Sequence, residues 1–231
     1  SQQLVEIDAI DYIATTIGQY SIIVELISES TQSMHMTIEK DIGKIEGIQS
    51  YDTFPYLNIF YQQAQFRTFH GAMTLHSGVR TSIIDEIDKA IIMELNIDGR
   101  MPMLEIAQNI GYSESLIRNR IKKMIENNSM RIMAITNPMN LKNQVVAWLA
   151  IKISCPFSTR GFAEEVIKVS NVSYVAICAG LYDMFVEIVC HSNNELLDIL
   201  DNFIRPLKGA GQIEVYPYLS LYYKRLEPVK I

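Results

Sequence analysis

Apolar and polar positions along the C-terminal part of the chain change rhythm several times. Residues 145–153 are almost continuously apolar and read as a strand, and 159–169 read as a helix. Residues 172–179 and Met184–Cys190 are β-branched and apolar runs separated by Gly180-Leu181-Tyr182-Asp183, a hairpin signal. Ser192 and Glu195 have the spacing of a capping box. Leu196, Leu197, Leu200 and Ile204 then recur at helical spacing until Pro206, Gly209 and Gly211 stop the helix. Residues 213–223, rich in tyrosine and aliphatics, read as a last strand. The order β-α-β-β-α-β predicts a split βαβ, or ferredoxin-like, α+β unit.

The same rhythm occurs earlier. A shift of 162 positions aligns residues 10–61 with 172–223 without a gap, and thirteen positions are identical. They include Tyr12/Tyr174, Ala14/Ala176, Gly18/Gly180, Tyr20/Tyr182, Glu25/Glu187, Gly47/Gly209 and the run Pro55-Tyr56-Leu57 against Pro217-Tyr218-Leu219. Chance similarity does not hold register through two glycines and a shared tripeptide, so the chain reads as a duplication. Residues 66–80 lack periodicity and read as a linker.

Between the copies, Ile84, Ile87, Ile91, Ile92 and Leu95 fall at helical spacing, with Asp85 and Asp88 at the favourable amino-terminal end. The helix is expected to stop at Asp98-Gly99, where glycine can take positive φ. Leu104, Ile106, Ala107 and Ile110 mark a short second helix ending at Gly111. Ser113 can cap a third, with Ile117, Ile121 and Met124 inward. That spacing puts Ser115, Arg118, Asn119 and Lys122 on the opposite face. Arginine can reach guanine, asparagine can pair with adenine, and lysine can hold phosphate. An ordinary solvated face of a three-helix bundle has similar charges, so the pattern alone leaves both readings open.

Composition narrows the class little. The chain has 231 residues, 48% apolar and 20% charged, as in ordinary globular proteins. Its longest apolar run, 145–151, is too short to span a membrane, and the first residues carry no signal pattern, so the default address is cytoplasmic. The net charge of −6 argues against a general nucleic-acid coat protein. Locally the balance reverses: residues 113–131 hold Arg118, Arg120, Lys122, Lys123 and Arg131 against Glu114 and Glu126. Cys155, Cys178 and Cys190 form no CxxC pair and read as reduced, half-buried thiols. His35, His70, His76 and His191 lie far apart, so neither a metal nor any other cofactor is expected.

The stretch from Ile84-Asp85-Glu86-Ile87-Asp88 through Asp98-Gly99-Arg100, Glu105-Ile106-Ala107 and Gly111-Tyr112-Ser113-Glu114-Ser115 resembles the AsnC-type helix-turn-helix. Arg118-Asn119-Arg120-Ile121-Lys122-Lys123-Met124 is similar to its recognition helix, and Asn137-Pro138 with Leu141 to its connection onward. Gly180-Leu181-Tyr182-Asp183 matches the turn of the β-α-β-β-α-β effector (RAM) domain. The chain thus resembles the Lrp/AsnC family of transcription regulators. Three departures stand out: Pro102 at the start of the second helix, Asn128-Ser129 after the third, and Gly18-Gln19-Tyr20-Ser21, which lacks the aspartate of the second copy.

The resemblance implies a sequence-specific, double-stranded-DNA-binding regulator, dimeric or larger through its RAM domains, with no membrane partner. Ser113, Ser115, Arg118, Asn119 and Lys122 are its implied DNA-binding residues. An amino-acid or other small effector is implied near Gly180, Tyr182 and Asp183. Turn N–H groups suit a carboxylate and Asp183 an ammonium group; alternatively Gly180 serves its turn and Asp183 bonds its own backbone. The expected organisation is a first RAM-like domain at 1–63, a linker at 64–82, the helix-turn-helix at 83–141 and a second RAM-like domain at 142–231. A fused sirohaem-decarboxylase-like enzyme is disfavoured because residues 132–150 hold no histidine or arginine. A metabolite sensor without DNA binding is disfavoured by Arg118, Asn119 and Lys122.

The repeat register also starts the sequence inside the first helix of the first copy, so the first copy's counterpart of the strand Val145–Ile153 is expected from outside it. Another chain could supply that strand; the favoured expectation is a longer tandem polypeptide with a second helix-turn-helix roughly eighty residues earlier.

Overall fold

The computed structural model describes residues 2–28, 30–62, 84–127, 129–130, 132 and 144–223. The linker expected at 64–82, Asn128, and the connection through Asn137, Pro138 and Leu141 lie outside the described residues. Seven strands form one antiparallel sheet: β1 Ile10–Thr16, β2 Ile22–Leu26, β3 Tyr56–Gln62, β4 Val145–Ile153, β5 Val172–Cys178, β6 Met184–Cys190 and β7 Ala210–Tyr223. The helices are α1 Gln2–Val5, α2 Thr31–Thr37, α3 Glu86–Ile97, α4 Met103–Ile110, α5 Glu114–Glu126, α6 Thr159–Val166 and α7 Asn193–Ile199. The sequence places α6 in the right position but three residues too long. A π-type turn follows each of α2 and α7, over Ile38–Ile42 and Leu200–Ile204.

The strand order is β2-β1-β7-β4-β6-β5-β3. Its centre, β7-β4-β6-β5, is the ferredoxin-like order expected for the C-terminal unit. β4 is apolar nearly throughout because both of its faces are covered. Ala147, Leu149, Ile151 and Ile153 pack with Phe162, Val166, Leu196, Ile199, Leu200 and Ile204 of the helical layer. Val146, Trp148 and Ala150 face an aromatic interior. Burying a side chain of this kind stabilises by about 1.5–3 kcal/mol.

The strands of the first copy do not form a sheet of their own among the described residues but join the sheet of the C-terminal unit. β1 and β2 pair with each other, but β3 leaves them and pairs with β5, while β1 pairs with β7. An open four-stranded sheet exposes the hydrogen-bonding edges of β5 and β7, and these two strands cover them. The two seams have matching registers. Tyr56↔Cys178, Asn58↔Ile177 and Ile59↔Ala176 become Tyr218↔Thr16, Ser220↔Thr15 and Leu221↔Ala14 when each position is shifted by 162. Side chains follow the same exchange. The Phe54 and Tyr182 rings lie 5.7 Å apart, and so do those of Tyr216 and Tyr20. A β-carbon on Gly180 would meet Phe54 at 3.2 Å, and one on Gly18 would meet Tyr216 at 3.0 Å. Both glycines have positive φ, so both the backbone and the neighbouring ring require the missing side chain.

Several local expectations change. Gly99 is not among the positive-φ glycines; α3 ends instead where the Asp98 carboxylate accepts from the Arg100 N–H at 2.8 Å. Leu104 and Leu197, which helped to mark helical spacing in the sequence, are exposed. Cys178 and Cys190 are buried and Cys155 is exposed, so only their free state matches the sequence reading. Among the described residues no helix is long and apolar enough to cross a membrane, and no cluster of potential metal ligands occurs.

Candidate functional site

Two regions gather chemistry. The first is α3-α4-α5. Asp85 caps α3 in a reciprocal box with Asp88, each carboxylate accepting from the other's backbone N–H. Pro102 precedes α4, at its N-cap rather than inside its first turn. Gly111 closes α4 in the left-handed region at φ 77°, and Ser113 caps α5 by accepting from Leu116 N–H at 3.3 Å. Ile91, Ile106, Ala107, Ile117, Ile121 and Met124 form the core between the three helices.

That core fixes which side of α5 faces out. Ser113, Ser115, Arg118, Asn119 and Lys122 are all exposed. Arg118 donates to Glu114 one turn earlier, and Lys122 lies 3.7 Å from Glu126, so both cations are held along the helix by exposed and breakable pairs. Arg120 differs: it is partly covered and donates to Asp85 and Asp88 of α3. The cap bond from Asp88, with Arg120 beside it, lowers the Asp85 carboxyl pKa. The sequence counted Arg120 among five local cations, but its charge is spent within the bundle.

The second region is the seam between the two sets of strands. Gly180 stands at φ 132° against Phe54. Tyr182 is buried, its ring lies near those of Phe54 and Phe185, and its hydroxyl has no hydrogen-bond partner among the described residues. Asp183 neither bonds its own turn nor stands free. Its Oδ2 accepts from the Ile153 N–H at 2.8 Å and its Oδ1 from Lys152 Nζ at 2.9 Å, which ties the β5–β6 turn to β4. In the other half the Tyr20 hydroxyl does have a partner, donating to Asp52 at 2.7 Å.

Behind the seam lie Glu25 and Glu187, two glutamates that the 162-residue shift aligns. Glu187 is buried and accepts from Ser173 at 2.6 Å, Tyr12 at 3.0 Å and Tyr218 at 3.1 Å; Trp148 donates to Tyr12 at 3.0 Å. Desolvation outweighs these donors and raises its pKa. Glu25 accepts from Tyr174 at 2.9 Å, and burial raises its pKa to about 7. Each glutamate therefore takes a tyrosine from the other half. The sequence carried the signal, since Tyr12/Tyr174 and Glu25/Glu187 are both retained between the repeats, but nothing in one strand says that the partner is in the other. Phe54 and Asp52 gave no such signal.

A capped helix-turn-helix with a polar, partly cationic outer face, on one chain with a curled antiparallel α+β sheet, defines a helix-turn-helix regulator with a ligand-binding domain. Residues 84–125 match the AsnC-type helix-turn-helix domain and residues 149–228 the Lrp/AsnC ligand binding domain. The HTH-type transcriptional regulator FL11 of Pyrococcus furiosus is 34% identical over 150 residues, which cover 64% of this chain and 98% of that protein. The chain belongs to the Lrp/AsnC family of transcription regulators. Its fold is similar to AsnC of E. coli, with TM-score 0.53 and 22% identity over 60% of this chain and 94% of that one. It is also similar to a feast or famine regulatory protein of M. tuberculosis complexed with L-methionine, with TM-score 0.55 and 22% identity over 62% and 96%.

Proposed function

We propose that the protein reads double-stranded DNA through α5 and couples this to a small effector at the sheet seam. The observation that carries the first part is the division of α5. Ile117, Ile121 and Met124 are fixed inward, and this presents Ser113, Ser115, Arg118, Asn119 and Lys122 together. A helix placed so in a major groove sets arginine and asparagine against base edges and lysine near phosphate. Binding titrations of a duplex at several salt concentrations test this, with Arg118→Ala and Lys122→Ala expected to weaken binding while circular dichroism stays unchanged. Full binding by both variants contradicts the assignment.

For the effector, the proposal is an amino acid held where Gly180 and Tyr182 meet Phe54. A solved neighbour complexed with L-methionine supports that ligand class. Asp183 has a narrower role here than an ammonium ligand: with both oxygens engaged by Lys152 and Ile153, it positions the turn. The repeat register and the matched seams further support two RAM-type halves, at 1–63 and 142–231, that play the parts of two protomers inside one chain. Since each chain carries one described helix-turn-helix, we propose that two or more chains assemble, in the cytoplasm, to engage two half-sites.

A further inference from the structure

The contacts around Glu187 can be counted in hydrogens. Its Oε2, the Tyr12 hydroxyl and the Tyr218 hydroxyl all bond one another, so three oxygens form a closed triangle of hydrogen bonds. Each side of the triangle needs one hydrogen between its two oxygens, and each tyrosine brings one. Ser173 gives its hydrogen to Glu187 Oε1, and Trp148 donates its own to Tyr12 from outside the triangle. The third hydrogen has one remaining source, a protonated Oε2. With an ionised carboxylate both tyrosines turn their hydrogens to Oε2, and the two phenol oxygens are left face to face with none between them.

The surroundings favour the neutral acid as well. Glu187 is only 6% exposed, and burial raises its pKa. The titratable groups that face it are Tyr12 from β1, Tyr218 from β7, Tyr174 from β5, Tyr56 from β3 and Glu25 from β2, while β4 supplies Trp148. Among the described residues no lysine, arginine or histidine pairs with it. The triangle also joins three strands. Glu187 belongs to β6, and Tyr12 and Tyr218 belong to β1 and β7, the two strands of one seam. The other half differs at this point: shifted by 162, Ser173 becomes Asp11. Glu25 therefore has an acid beside it where Glu187 has a hydroxyl donor.

We propose that Glu187 is a proton-operated latch, which as a neutral acid completes the triangle and holds β1 against β7, and when ionised releases that seam. In the open seam the carboxyl has its ordinary value of 4.5 and in the closed seam a higher one, so closure binds the proton more tightly. Closure is strongest below pH 4.5 and weakens about tenfold per pH unit until the closed-state value is passed, above which it levels off. Rising pH opens the latch. Tyr174 and Tyr218, whose hydroxyls burial pushes above 10, stay neutral over this range.

The test compares the full chain with its Glu187→Gln variant, whose amide donates to the triangle at every pH. Two signals are followed from pH 4 to 9: the infrared carbonyl band of protonated carboxyl groups, and amide hydrogen exchange in β1 and β7 corrected for intrinsic rates. Glu25 and Asp11 are common to both proteins and cancel in the difference. The expected result is a protonated-carboxyl band in the wild type alone, lost only above the ordinary value of 4.5. Wild-type protection should fall relative to the variant by about tenfold per pH unit up to that loss. A difference band lost at the ordinary value, or none, overturns the bound proton. A band at raised pH with parallel exchange in the two proteins overturns the latch. Glu25→Gln keeps Glu187 and decides the matter if Glu187→Gln does not fold: its β1 and β7 protection should still fall with pH, and protection independent of pH overturns the proposal.

Discussion

Arg118 and Arg120 are two positions apart on one helix, yet their surroundings assign them opposite tasks. Arg118 is exposed and paired only within its own helix, while Arg120 is drawn onto Asp85 and Asp88. Arg120→Ala is expected to lower the thermal midpoint and leave the salt dependence of DNA binding unchanged. Lys122→Ala should lower that dependence by about one unit with little effect on the midpoint. Denaturation scans beside salt titrations check both, and a reversed pattern contradicts the division. Glu25 makes a different residue-level prediction. Its carboxyl titrates near 4.5 in a free chain and at about 7 when folded, so the folded state binds the proton more tightly. Stability is then greatest below pH 4.5 and declines as pH rises towards 7, by roughly 2–3 kcal/mol. Asp11 and Glu187 add to the shift and Tyr174 opposes it. Glu25→Gln should remove most of this decline in urea unfolding measured from pH 5 to 8. Glu187, shifted in the same direction, leaves a remainder, and an unchanged slope contradicts the burial argument.

At the scale of elements, the helix-turn-helix depends on a few termini. Gly111 sits in the left-handed region with open space where a β-carbon would be, so Gly111→Ala tests conformation without a clash. A cost of about 1 kcal/mol is expected in chemical denaturation, and a neutral result contradicts the strain argument. The β5–β6 turn is held otherwise, by Asp183 on β4, and Asp183→Ala should cost about 1–2 kcal/mol because it strands the Ile153 N–H and releases Lys152. These elements were largely legible in the sequence. Capping serines, glycine stops and the inward rows of α3 and α5 are local signals, and they fall where the chain folds. Gly99 misled because Asp98 already ends α3 through its side chain. Leu197 is exposed because the ordinary helical period places it about 100° from Leu196, off the face shared by Leu196, Ile199 and Leu200.

For the whole molecule, the 162-residue register could be read from the sequence, whereas the pairing of β3 with β5 could not. Strand pairing depends on which edges are free, and an apolar strand carries no mark of its partner. The same holds for the candidate site. The outward row of α5 follows from helical period alone, whereas the Phe54, Tyr182 and Gly180 junction exists only after the halves interlock. The account's central claim is that this chain reads DNA through α5. It is tested most directly by selecting bound sequences from a pool of random duplexes with the full-length protein, and repeating the selection with Arg118→Ala. The wild type should enrich one motif, with half-sites related by symmetry if chains pair on DNA, and the variant should lose preference at one base position in each half-site, a change worth about 1–3 kcal/mol. Enrichment of no motif, or of the same motif unchanged by Arg118→Ala, would contradict it.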